Sequence, residues 1–138
     1  MWTKYAYIVI AVMSLLAGCS GKQNAIIKAH NKMVAAEHAY LAAADVAVTN
    51  DNFQGLFFAN KKYLHDIQNI DRSGCPDDYK QALKGLENSL SEISGYLSGA
   101  NNIENIAPTK FDALHDARMD VTHNLNSVAE RHGTEIAY

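Results

Sequence analysis

The stripe Tyr79, Leu83, Leu86, Leu90, Ile93 and Leu97 constrains this chain more than any other feature. Its members alternate strictly at spacings of four and three residues. That period puts one apolar seam along an α-helix and cannot serve a strand, whose faces alternate every second residue. A seam of this kind needs partner helices to cover it. Three further segments supply them. The first is read from about Asn24 to Thr49, with Ile27, His30, Val34, Glu37, Leu41, Ala44 and Val48 inward. The second covers about Phe53 to Ile70, with Phe53, Leu56, Phe57, Leu64, Ile67 and Ile70 inward. The fourth carries Phe111, Leu114, Val121, Leu125 and Val128 and stops at Gly133.

The punctuation agrees with that division. Asn50-Asp51-Asn52 and Asp71-Arg72-Ser73-Gly74 are turn-formers, and the two prolines, Pro76 and Pro108, fall at helix starts. Pro76 suits a first helical position, which makes Cys75 the expected N-cap. Thr109 followed by Asp112 reads as a capping box. Gly85 and Gly95 lie off the seam and weaken their helix by about 1 kcal/mol each. Gly99 through Ala107 is the longest connection, with Ile103 and Ile106 expected to cap one end of the core. No segment shows strand alternation of useful length. The expected fold is all-α, a four-helix up-down-up-down bundle over residues 24–138, with no second domain and no internal repeat.

The start of the chain has a different character. Met1 to Lys4 is cationic, Tyr5 to Leu16 is apolar and uncharged, and Leu16-Ala17-Gly18-Cys19 closes the run. This is the layout of a secretory signal peptide. The four closing residues resemble the lipobox of bacterial lipoproteins. The resemblance implies cleavage after Gly18, a signal peptide over residues 1–18, acyl chains on Cys19 and a short tether over 19–23. Several acyl chains together anchor a protein stably. Ser20 in place of aspartate implies sorting to the outer membrane, with the body facing the periplasm or the cell surface. The competing reading is an uncleaved membrane helix. The uncharged run from Tyr5 to Gly21 barely reaches the shortest span that crosses a bilayer.

Cleavage would leave 120 of the 138 residues, enough for one core. Only Lys4 is lost from the charged set, so the net charge of −3 becomes −4. A mildly acidic body has no footprint for nucleic acid and no polybasic patch for lipid heads. If Cys19 carries lipid, Cys75 is the one remaining thiol and no internal disulfide can form. A helix N-terminus would activate that thiol, but Asp77 and Asp78 in the same turn oppose activation. A buried structural cysteine is the favoured reading, ahead of an intermolecular bridge and of catalysis. The stretch Asp71 to Ala82, with its Cys-Pro, acid and aromatic opening a helix, is similar to a turn in uncharacterised exported helical proteins of bacteria. That resemblance bears on fold and carries no activity.

Two constellations stand out among the polar residues. Glu37 and Arg118 occupy inward positions on the first and last segments. Counted inward from Asn24 and Gly133, they stand within about one turn of each other along antiparallel axes. A charge-assisted pair that sets helix register is expected there. His115, Met119 and His123 recur once per turn, with His30 and Met33 on the first segment. Imidazole and thioether together suit copper or haem iron. Against a metal stand Asp112, Asp116 and Asp120, which give that side the character of a solvated face, and no cofactor is expected. No Gly-x-Ser-x-Gly elbow, zincin helix or phosphate loop is present, so no enzyme chemistry is expected either. The leading functional expectation is a lipid-anchored, non-enzymatic interaction or envelope-accessory module. Its partner would be an envelope or host protein, with Tyr40, Phe57 and Phe58 as contact candidates. A periplasmic copper or haem carrier is the alternative.

Overall fold

A computed structural model describes the backbone of residues 3–134 and the side chains of residues 21–102 and 104–134. Among these the molecule is all-helical. Four α-helices, α1 (Thr3–Thr49), α2 (Phe53–Gln68), α3 (Asp77–Ala100) and α4 (Pro108–Arg131), are joined by short connections, the last holding a 3-10 turn at Ile103–Asn105. Side chains of the lipobox residues Leu16 to Cys19, and of Ser20 and Ile103, lie outside the described set. Where a tether is expected, at residues 19–23, the backbone is helical, and α1 is continuous through it.

Each helix end has an identifiable chemical stop. At the end of α1, Asp51 adopts a left-handed conformation (φ 53°). The Asp51 amide then donates to the Val48 carbonyl at 3.1 Å, and the Asn52 amide to that of Ala47 at 2.7 Å. This is a Schellman motif built without glycine. Asn52 then caps α2, its side chain accepting from the Gly55 amide at 2.9 Å. The α2–α3 turn is held by Asp71, whose carboxylate accepts from the amide and hydroxyl of Ser73, with Gly74 left-handed at φ 78°. Helix α4 ends in a second Schellman motif. Gly133 (φ 80°) donates to Glu130, and the Thr134 amide to Ala129. The Gly133 carbonyl also accepts from the Gln23 side chain at 3.2 Å, tying the end of α4 to α1.

Two expected caps differ. Pro76, in extended backbone, is the N-cap of α3, so Cys75 lies one residue before it. Ala107 is the N-cap of α4, with Pro108 first in the helix and Thr109 second. In both cases the proline ring fixes where the helix can begin, and the backbone follows it rather than the hydroxyl or thiol.

The α3 stripe is buried throughout: Tyr79, Leu83, Leu86, Leu90 and Leu97 are fully enclosed and Ile93 nearly so. On α1 the core face is Ile26, Ala29, His30, Met33, Ala36, Tyr40 and Ala47. It is turned by about one residue from the face expected. Leu41 and Val48 are 43% and 60% exposed, whereas Tyr40 is buried. Size explains the turn. Met33 and Tyr40 fill the centre of the core, while Ala36 packs closely beside Ala59 and Tyr63 of α2. Tyr40 stacks on Tyr63 with ring centroids 5.0 Å apart, an arrangement open to neither Leu41 nor Val48. The core falls into two parts. A large one runs from Ile26 to Ala129, and a smaller one gathers Ala47, Leu56, Ile93 and Leu97, flanked by Phe53, Phe57, Ile106, Phe111 and Leu114. Gly85 packs against Val121, and Gly95 faces open space.

Leu90→Ala is expected to cost about 2–5 kcal/mol in urea unfolding, since Leu90 is enclosed on all sides. Leu41→Ala is expected to cost about 0.5 kcal/mol or less. Equal losses would contradict the rotated face of α1.

Candidate functional site: the polar groups between α1 and α4

Among the described residues the most heavily buried charge comes from Arg118 of α4, whose side chain has no exposed surface. Its Nη1 donates to Oε1 of Glu37 on α1 at 2.9 Å. Its Nη2 points at the Met119 sulfur at 3.0 Å, and its carbon end lies 5.4 Å from the centre of the Tyr40 ring. A guanidinium keeps its proton under all ordinary conditions, so this burial requires a carboxylate close by. Glu37 provides it from a side chain that remains 14% exposed. The structure therefore brings together the two residues whose levels along α1 and α4 coincide. Burial raises the Tyr63 phenol well above its ordinary value, and Glu37 raises it further. The tyrosines beside the pair are neutral partners rather than acids.

The His/Met set is distributed differently. His30 and Met33 are enclosed in the core, His115 and Met119 are half-buried, and His123 is exposed. The Met119 thioether already faces a guanidinium, whose charge repels a metal cation at that sulfur. Among the described residues no three His, Cys, Asp or Glu are grouped so as to hold a metal ion. His30 meets the Tyr79 hydroxyl at 3.3 Å through Nδ1, and its Nε2 has no partner. Burial holds the His30 ring below its ordinary value, with Glu37 and Glu130 pulling the other way. His115 is lowered too, first by burial and then by Arg118.

Cys75 is buried behind the α2–α3 turn, and burial pushes its thiol up. That is the environment of an inert, packed cysteine. Tyr40, read from sequence as a contact residue, is inside. Phe57 is half-buried under Lys61, and Phe58 is 61% exposed.

Sequence reasoning missed two buried polar contacts. Glu87 on the inner side of α3 is held by Arg72 from the α2–α3 turn and by Lys84 one turn earlier. Burial raises the Glu87 carboxyl, but these two cations bring it below its ordinary value. Asn60 of α2 donates to the Leu90 carbonyl at 3.2 Å and to the Ser94 hydroxyl at 2.7 Å. The only signal for either lay in position: Glu87 follows Leu86, and Asn60 follows Ala59, within helical stretches whose inner faces are mostly apolar. Among the described residues no helix is long and apolar enough to cross a membrane. Comparison with protein-family models, curated proteins and solved structures gives no match.

Removing one partner of the Arg118–Glu37 pair is expected to cost about 3–5 kcal/mol, because the other charge is stranded. The double replacement Glu37→Leu/Arg118→Met is expected to recover most of that loss. Urea unfolding of the two single variants and the double gives the coupling directly; additive losses would mean that the pair does not interact.

His30 and His115 make stability depend on pH. Both are lowered in the folded protein, so the unfolded chain takes up protons first as pH falls below the ordinary value of 6.5. Their contribution is fully present above that value and is lost as pH falls through the lowered folded values. Unfolding midpoints are expected to drop between about pH 7.5 and about pH 5.5, and the drop to shrink in His30→Phe. An unchanged slope in that variant would show that His30 protonates freely in the fold.

Proposed function

We propose that this chain is an outer-membrane lipoprotein, acylated on Cys19, whose helical body serves as a non-enzymatic interaction module. The body would be an up-down-up-down bundle. Short connections between helices that pack in sequence support that order, as do the Gln23–Gly133 contact and the level pairing of Glu37 with Arg118. The lipobox Leu16-Ala17-Gly18-Cys19, behind a cationic and then apolar start, supports the anchor.

The observation that carries the interaction reading is apolar surface. Phe58, Val46 and Val48 are each about 60% exposed and Leu41 is 43% exposed, with Leu41 and Val48 seven residues apart on one side of α1. Scattered apolar side chains are ordinary on a soluble protein, but these four lie within the last turns of α1 and the first turns of α2. In contrast, the groups with chemical potential are committed inside. Arg118 and Glu87 are ion-paired, and the Cys75 thiol is buried and raised.

Labelled fatty acid is expected to enter the wild-type chain in an envelope-forming bacterial host and to be absent from Cys19→Ala. Recovery of the mature protein with residues 1–20 intact and unacylated would overturn the anchor. Crosslinking in intact envelopes, followed by pull-down, tests the interaction reading separately.

A further inference from the structure

The contact between α1 and α4 is the sparse one among neighbouring helices: α1 packs densely on α2, and α3 on α4. The side of α1 turned toward α4 is nevertheless apolar. Glu37 touches Arg118 on α4, and Ala44 joins the part of the core that includes Phe111 and Leu114. Leu41 stands one turn on from Glu37, and Val48 one turn on from Ala44, so both continue that side of the helix. Both are exposed, which means the seam closes at Arg118 and opens toward the end of α1.

The charge of the seam selects what could cover it. From Val34 to Thr49 and from Phe111 to Met119, the two helices carry four carboxylates: Glu37, Asp45, Asp112 and Asp116. Arg118 is the single Lys or Arg in those stretches, and Glu37 neutralises it. A second copy of this chain docked through the same seam would set acid against acid, and an anionic lipid surface would be repelled likewise. A helix with an apolar stripe and basic flanks meets both requirements. We propose that the α1–α4 seam, at the end marked by Leu41 and Val48, is the docking groove for a basic amphipathic helix of a partner protein. This deepens the interaction reading above and rests on it.

The test uses the full chain in neutral-lipid nanodiscs with a photo-crosslinking residue at Val48 or, as the comparison, at Phe58. The probes are a synthetic leucine–lysine helix of about four turns and its leucine–glutamate counterpart. Crosslinking to the basic helix is expected from position 48, with little from position 58 and little to the acidic helix, and it is expected to weaken with added salt. The concentration giving half-maximal crosslinking is expected to rise about tenfold or more in Leu41→Asn and in Asp112→Asn/Asp116→Asn. These residues are on the surface, and circular dichroism checks that the variants remain folded. Equal crosslinking of both probes, equal yield from both positions, unchanged half-saturation in the variants, or an adduct made of two copies of this chain would each overturn the groove. Because the probe assay does not depend on acylation, loss of Cys19 labelling with crosslinking intact would refute the anchor and leave the groove standing. Envelope partners captured through other faces, with no crosslinking at position 48, would do the reverse.

Discussion

A guanidinium with no exposed surface is the constraint around which the two outer helices must arrange themselves. Arg118 cannot shed its charge, and a cation left alone in an apolar interior would cost more than most single contacts return. Glu37 must therefore sit at one level on α1, whatever the shapes of the neighbouring side chains. The surrounding geometry follows from that. Tyr40 lies against the guanidinium and stacks on Tyr63, and Met33 fills the space one helical repeat away. An apolar pair in the same place would permit sliding along the helix axes; an ion pair permits one register.

How much of this could be read beforehand differs from helix to helix. On α3 the large apolar residues recur at regular spacing and every one of that stripe is buried, so pattern and packing coincide from Tyr79 to Leu97, with Ala82, Glu87 and Ser89 buried alongside it. On α1 they do not. Its inner face includes Ala29, Ala36 and Ala47, and alanines are plentiful on its outer face as well. The larger aliphatics Ile27, Val34, Leu41 and Val48 draw the eye to a stripe nearly a residue away. Packing chose otherwise, because small residues let α2 approach and a tyrosine pair supplies volume that aliphatics cannot. The Glu37–Arg118 level was legible because it depends only on counting along two antiparallel rods. The Arg72–Glu87 pair was not, since it joins a turn to a helix and no periodicity links them.

Local stops show the same division. Gly133 announces its left-handed cap in the sequence, while Asp51 adopts the same conformation without glycine. Asp tolerates that region better than most residues, so the Asn-Asp-Asn run reads as a turn without revealing which residue takes the strain. At α3 and α4 the proline rings outrank the residues that looked like caps.

The packing of Cys75 has a consequence for how the molecule reports on its own motion. A thiol reacts as thiolate, and here burial both hides the sulfur and disfavours that form. Alkylating reagents can then reach it only when the turn from Asp71 to Pro76 lifts away from the core. The rate of modification in native conditions becomes a clock for that opening, set by the local free energy of the α2–α3 corner rather than by the stability of the whole. One unassuming side chain thus serves as an internal gauge of how often the hinge between the middle helices breathes.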